Sequence, residues 1–278
     1  MNKLLKLAMI GCGLVFSLSI TTEAGAETIK EGIKETGVLK VGVRNDSHLF
    51  GFGENHEGYC ADFAQKLAET LGQEMGKTIE VEIVTSTTQN RWDLVKDGTV
   101  HLECGPNTIS PTTETEKNIK FSQPFFVTAT QILVDSDATE ESIMNGKIGI
   151  IAGTSNEKDL SVIYPEAQLD NSFTNRVDGV KAVQEGNVNG FASDGILLGG
   201  TALALGVEPD AIQLVTPLIN ERPFCAAYGM ILPGGEENAE WHDTVNNLLA
   251  NSGPQTEIWG SWFNPLLPYI DAVVKACQ

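Results

Sequence analysis

The chain has 278 residues, a formal net charge of −19 and 41% hydrophobic residues. Such acidity argues against nucleic acid and anionic lipid surfaces as partners, and any site for an anion must then build its own local pocket of positive charge. The length and apolar share suit two modest lobes, each with its own core.

Lys3 and Lys6 precede an apolar run, Leu7–Ile20, and Ala24-Gly25-Ala26 offers small residues for cleavage. This is the pattern of a secretory signal peptide, and the run is too short to span a bilayer comfortably. Cys12 does not end the apolar run as a lipobox cysteine would. Cleavage after Ala26 leaves 252 residues and takes the net charge to −20, because Lys3, Lys6 and Glu23 go with the leader. Cys60, Cys104, Cys225 and Cys277 remain. Four cysteines in an exported protein allow three pairings, and the irregular spacing favours none. Disulfides and buried thiols both stay open, and no CxxC pair suggests zinc.

In chain order, Val38–Arg44 reads as the first strand, followed by a loop through Gly58. Phe63, Leu67 and Leu71 recur at i, i+4 and i+8 behind Asp62, which predicts a helix over Phe63–Leu71. Thr78–Val84 is a strand with Ile79, Val81 and Ile83 on one face. A short helix over Asn90–Lys96, an Asp97-Gly98 turn and a strand over Val100–Cys104 lead into a polar loop, and Phe126–Val134 is a long extended run. A second set starts with a strand at Lys147, turns at Gly153-Thr154-Ser155 and continues as a helix through Ile163. Helices follow over Asn175–Glu185 and Gly195–Leu205, flanking a strand at Val188–Ala192, and Ile212–Val215 is a last short strand. Cys225–Leu232 is extended again, and Trp241–Ala250 and Thr256–Phe263 close the chain as helices. Strands alternating with amphipathic helices imply an α/β fold with largely parallel sheets.

Thr88–Phe126, with its QNR, ECG and FS-x-PFF segments, resembles the first lobe of family 3 extracellular solute-binding proteins, the receptors of polar amino-acid ABC importers. These segments and SDGILLGG at Ser193–Gly200 are most similar to the glutamate/aspartate receptors of that family, and the likeness runs from about Val38 to about Pro268. The resemblance implies a two-lobe, type II periplasmic binding fold, each lobe a mostly parallel sheet flanked by helices, with the ligand in the cleft between them. Residues 27–131 and 224–278 would build lobe one around an inserted lobe two at 132–223, with crossovers at Thr130–Ser136 and Asn220–Ala226. It further implies a periplasmic monomer without cofactor or metal, which holds a small polar or acidic amino acid, or a related anionic solute, and presents it to an inner-membrane permease.

The candidate ligand-binding residues follow from the same likeness. At Gly153, Thr154 and Ser155 a strand passes into a helix, so free N–H groups and the positive helix end converge. The family uses this turn for the ligand's α-carboxylate, although Ser155 reads equally as an ordinary N-cap. Asp194 matches the acidic residue that pairs with the α-ammonium group and could also cap the helix behind it. Arg44 and Arg176 match basic groups that acidic amino-acid receptors turn on the ligand, where bidentate guanidinium–carboxylate contacts are strong. Phe50 and Phe52 stand where the family often sets a ring under the ligand. Asn107, Thr108 and Ser110 offer an amide and hydroxyls, and Arg91 reads as an interlobe or capping residue.

One departure stands out. Family members usually carry an arginine six residues before the Phe-Ser pair, and Thr115 occupies that place. Residues 106–120 hold no arginine, which leaves Lys117 as a weaker substitute. An alternative reading is an exported enzyme on the same scaffold, similar to dehydratases of cyclic dienes, with Glu103 or His48 as its acid or base; another is a ligand-sensing receptor. His101-x-Glu103 matches part of the zinc deaminase signature, but no cysteine pair follows it. Neither a G-x-S-x-G elbow nor a GK[ST] phosphate loop occurs.

Overall fold

A computed structural model of the chain describes residues 28–164, 168–251 and 257–278. The signal peptide and its cleavage site lie outside the described residues, as does Thr256, the expected start of a closing helix.

Thr28 opens α1 (Ile29–Thr36) with a capping box: its hydroxyl accepts from the Glu31 N–H, and the Glu31 carboxylate accepts from the Thr28 N–H. Gly37 ends the helix in the left-handed conformation, and β1 (Val38–Arg44) follows with Leu39, Val41 and Val43 fully buried. A small hairpin of β2 (Asp46–Ser47) and β3 (Gly51–Phe52) leads to α2 (Tyr59–Met75). Next come β4 (Glu80–Ser86), α3 (Arg91–Lys96), β5 (Leu102–Cys104), α4 (Pro111–Lys117) and β6 (Ile119–Phe121). Strand β1 pairs in parallel with β4 and with β5.

The chain then enters β7 (Phe126–Asp135), a ten-residue strand that serves two regions. Phe126–Ala129 pair with a returning strand, whereas Thr130–Asp135 pair within a second sheet. That sheet is built from β7, β8 (Lys147–Ile151), β9 (Gln168–Phe173), β10 (Gly190–Asp194) and β11 (Ile212–Val215) in the order β11-β7-β10-β8-β9. Its connecting helices are α5 (Glu140–Met144), α6 (Ser155–Ile163), α7 (Arg176–Gln184) and α8 (Gly195–Ala204). After the short pair β12 (Leu218–Ile219) and β13 (Arg222–Pro223), β14 (Cys225–Tyr228) returns alongside β7. Strand β15 (Ile231–Pro233) then completes the first sheet, order β4-β1-β5-β15-β6, and α9 (Ala239–Asn251), α10 (Glu257–Phe263) and α11 (Leu267–Ala276) close the chain.

Packing explains the two lobes. The first core gathers Leu39, Val41, Phe63, Leu67, Trp241 and Phe263. In the second lobe Leu133 packs with Val180, Phe191 and Leu198, while its neighbours Ile132 and Val134 pack with Ile148 and Leu160. Successive β7 side chains therefore feed opposite faces, as expected for a sheet covered on both sides.

The sheets are more mixed than the alternating pattern implied: β7 is antiparallel to both β10 and β11, and β15 to both β5 and β6. Helix α4 stands where a polar loop was expected. Ser110 caps it through the Thr113 N–H and Pro111 occupies its first turn, but it buries no residue, so apolar periodicity had nothing to report. The extended run over Cys225–Leu232 is divided between β14 and β15, in different sheets.

The open cysteine question resolves into two disulfides. Cys60–Cys104 ties the start of α2 to the end of β5, and Cys225–Cys277 ties β14 to the chain end. The first closes a sequence separation of 44 residues, for which chain entropy gives about 4 kcal/mol. Replacing both Cys60 and Cys104 by serine should lower unfolding free energy by about that amount in urea titration. A loss under about 1 kcal/mol would mean the crosslink contributes little by chain entropy.

Candidate functional site

In both sheets the carboxyl ends of the parallel strands open on one polar cavity of about 520 Å³, the place where open α/β sheets hold ligands. From the first lobe, Arg44 ends β1, Thr88 and Arg91 follow β4, and Pro106, Thr108 and Ser110 follow β5. The second lobe supplies Gly153, Thr154 and Ser155 after β8, Arg176 at the start of α7, and Asp194 at the end of β10. The lobes touch across the cavity, where Thr108 Oγ1 lies 3.3 Å from Ser155 Oγ.

Arg44, Thr108, Ser110, Gly153, Thr154, Ser155, Arg176 and Asp194 share this wall, whereas Phe50, Phe52 and Asn107 do not. Phe52 packs edge-on against His48 at 5.5 Å between ring centroids and does not line the cavity. Phe50 is fully buried against Phe126, Tyr228 and Phe263, spent on the core. Asn107 is turned inward because the fully buried Glu103 carboxylate needs donors. The Asn107 amide donates to it at 2.6 Å, as does the Ser86 hydroxyl at 2.6 Å. Lys117 and Thr115 sit exposed on α4 and do not line the cavity, although Glu116 between them does, so Lys117 does not replace the missing arginine.

Arg91, an interlobe or capping residue by its sequence context, stands on the cavity wall. It is buried to 8% exposure, with its guanidinium 4.1 Å over the Trp92 ring and Nη1 donating to the Thr88 carbonyl. Its Nε has no partner, and it forms no ion pair among the described residues. Burial, and then repulsion from Arg44, lowers its pKa. An anion at this point would relieve both effects. The signal was available: Arg91 follows β4 at the sheet edge much as Arg44 ends β1.

Arg44 and Arg176 are differently placed, each already facing Asp46, at 2.8 Å and 3.6 Å respectively. Arg44 Nη2 also donates to Thr88 Oγ1, and Arg176 Nε to Ser193 Oγ. On the second-lobe wall Asp194 is N-cap of α8 by position, yet its carboxylate makes no capping bond. It accepts instead from the Tyr228 hydroxyl and from Asn156 Nδ2 at 3.1 Å. Asn156 Nδ2 also donates to Thr130 Oγ1, which donates to Asp159 at 2.7 Å. Neither Asp159 nor Asp194 has an ion pair among the described residues. Burial raises both carboxyls above their ordinary values. Thr154, not Ser155, is the N-cap of α6, and its hydroxyl donates to the Ile151 carbonyl.

A second cavity, of about 480 Å³, is apolar and lies among His48, Leu49, Leu203, Trp262 and Leu266. His48 belongs there and not to the polar site. His101 is used structurally, its Nδ1 accepting from the Lys40 N–H at 3.0 Å. Among the described residues no cluster of acidic, histidine and cysteine side chains could hold a metal ion.

Residues 39–265 match the bacterial extracellular solute-binding proteins, family 3. The chain belongs to that family. It is 26% identical to the glutamate/aspartate import solute-binding protein of Escherichia coli (strain K12), over 93% of this chain and 87% of that one. It is 28% identical to the ABC transporter glutamine-binding protein of Bacillus subtilis (strain 168), over 94% and 97%. Among solved structures, an ancestral amino acid-binding protein described as a precursor of cyclohexadienyl dehydratase superposes with a TM-score of 0.69 at 22% identity, covering 85% of this chain and 99% of that one. At that identity the likeness speaks for the fold, which is the two-lobe type II binding architecture.

The raised Asp194 carboxyl has a consequence for stability. Because the folded state holds this proton more tightly than the unfolded chain, the group's contribution falls as pH rises from about 4 through the raised value. Asp194→Asn should therefore make the ligand-free protein more stable near neutral pH and flatten its stability profile above about pH 4. Thermal melts at several pH values check this, and an unchanged slope would contradict it.

Proposed function

We propose that the chain is the solute receptor of an amino-acid ABC importer, gripping a zwitterion between its lobes and delivering it to a membrane permease. The supporting observation is a charge pattern within one cavity. Among the described residues the first-lobe wall carries a buried guanidinium outside any ion pair, Arg91, and the second-lobe wall carries carboxylates outside any ion pair, Asp194 and Asp159. An α-amino acid supplies both missing partners, its carboxylate toward Arg91 and the Gly153–Ser155 turn, its ammonium toward Asp194. Arg91 thereby takes over the work expected of the absent arginine at Thr115.

The names of the two relatives are consistent with this reading, since one is a glutamate/aspartate receptor and the other a glutamine receptor. The two acid–base candidates of the enzyme alternative lie off the cavity wall: Glu103 is buried beneath it and His48 lines the apolar cavity. Binding without turnover is therefore the favoured reading. In this scheme residues 27–131 and 224–278 form one lobe and 132–223 the other, the mature protein is a periplasmic monomer, and opening bends the paired strands β7 and β14. Ligand shifts the lobes toward closure only as far as it binds the closed state more tightly.

Titration calorimetry with a panel of α-amino acids tests the proposal. Against the amino acid that binds best, Arg91→Ala and Asp194→Ala should each lose at least about tenfold in affinity, or about 1.4 kcal/mol. Lys117→Ala should bind as the parent does. Unchanged affinity in both cavity variants would remove the cavity as the binding site.

A further inference from the structure

We infer that this receptor selects amino acids of zero net charge, and that Asp46 is the residue that sets the selection by acting as a built-in counterion. The inference rests on reading the polar cavity as an amino-acid site. The family resemblance sets Arg44 and Arg176 on the ligand, Arg176 as the group that reads an acidic side chain, yet in this chain both are already engaged. Asp46 Oδ1 lies 2.8 Å and Oδ2 2.9 Å from Arg44 Nη2, and Oδ2 lies 3.6 Å from Arg176 Nη1. Ser47 Oγ donates to Oδ1 at 3.0 Å, which helps to fix the carboxylate. Burial works against ionising Asp46, but Arg44 and Arg176 outweigh it and hold the carboxyl below its ordinary value. Asp46 stays charged and in place.

One carboxylate from the first lobe therefore bridges a first-lobe guanidinium to a second-lobe one. It occupies the role that a ligand's second carboxylate would otherwise fill. Charge points the same way. The wall carries Arg44, Arg91, Lys158 and Arg176 against Glu116, Asp159 and Asp194, and behind it the acidic side chains of Asp46 and Glu103 already face its arginines. A zwitterion with an uncharged polar side chain adds no net charge to this set. Glutamate or aspartate would bring a surplus negative charge beside Asp46, and like charge in a desolvated site is the usual means of rejecting a wrong partner. Selectivity here comes from repulsion.

The test is calorimetric titration of the mature protein with glutamine, asparagine and serine against glutamate and aspartate, in the parent, Asp46→Asn and Asp46→Glu. The parent should favour the best neutral amino acid over the acidic ones by at least about tenfold at neutral pH. Asp46→Asn should shrink that ratio by at least about tenfold, chiefly by tightening glutamate or aspartate, and Asp46→Glu should restore it. A parent that binds acidic ligands as tightly as neutral ones, or an unchanged ratio in Asp46→Asn, overturns the inference and leaves the amino-acid reading standing. An Asp46→Asn protein that melts like the parent but binds nothing also overturns it, because Asp46 would then be a required contact and not a selector. No binding of any amino acid by the parent would bring down the reading and the inference together.

Discussion

Three guanidiniums sit almost fully out of water at the junction of the two lobes: Arg44 at 2% exposure, Arg91 at 8% and Arg176 at 3%. Cations buried at such density are tolerated only when anions face them. Nearly everything distinctive about the site follows from how that demand is met. Asp46 answers two of the three within the chain itself. The third has an aromatic face, a backbone carbonyl, the attraction of the buried Glu103 and an open cavity. On the opposite wall Asp194 and Asp159 are satisfied by hydroxyl and amide donors and form no ion pair among the described residues. A cavity with a spare positive group on one lobe and spare negative groups on the other is poised for a zwitterion.

The fold supplies that geometry through strand ends. Arg44, Gly153 and Asp194 all stand at or just beyond the carboxyl end of a strand, so two sheets facing each other bring them to one place. The connection between the lobes is the paired β7 and β14, and the Cys225–Cys277 disulfide anchors the second of these strands to the chain end. The Thr108–Ser155 contact and the Asp46–Arg176 pair join residues of the two lobes across the cavity. In the proposed scheme β7 and β14 are the hinge, these pairs act as closure contacts, and the ligand adds to them.

Much of this was legible from the residues. Strands such as Val38–Arg44 and Ile212–Val215 match the structure residue for residue, because a buried strand announces itself by composition and bounding turns. Arg44, Asp194 and the Gly153–Ser155 turn stand at strand ends and match the family pattern, whereas Arg176, at the start of a helix, could be placed by the family likeness alone. Arg91 was undervalued because it opens a short helix, where capping is the commoner employment. Phe52 and Asn107 were overvalued because sequence cannot tell which way a side chain turns once a fully buried Glu103 competes for its amide. Helix α4 has no apolar face, and the cysteine pairing depends on distances that no spacing encodes. Nor could Asp46 be weighed, since its importance exists only when two distant arginines arrive beside it.

The most direct measurement is a crystal structure of the mature protein grown with the amino acid it binds most tightly. Density is expected in the polar cavity, with the ligand carboxylate at Arg91, the ammonium at Asp194, and Asp46 still joined to Arg44 and Arg176. Density in the apolar cavity beside Leu49 and Trp262, or a ligand carboxylate that displaces Asp46 from both arginines, would contradict it.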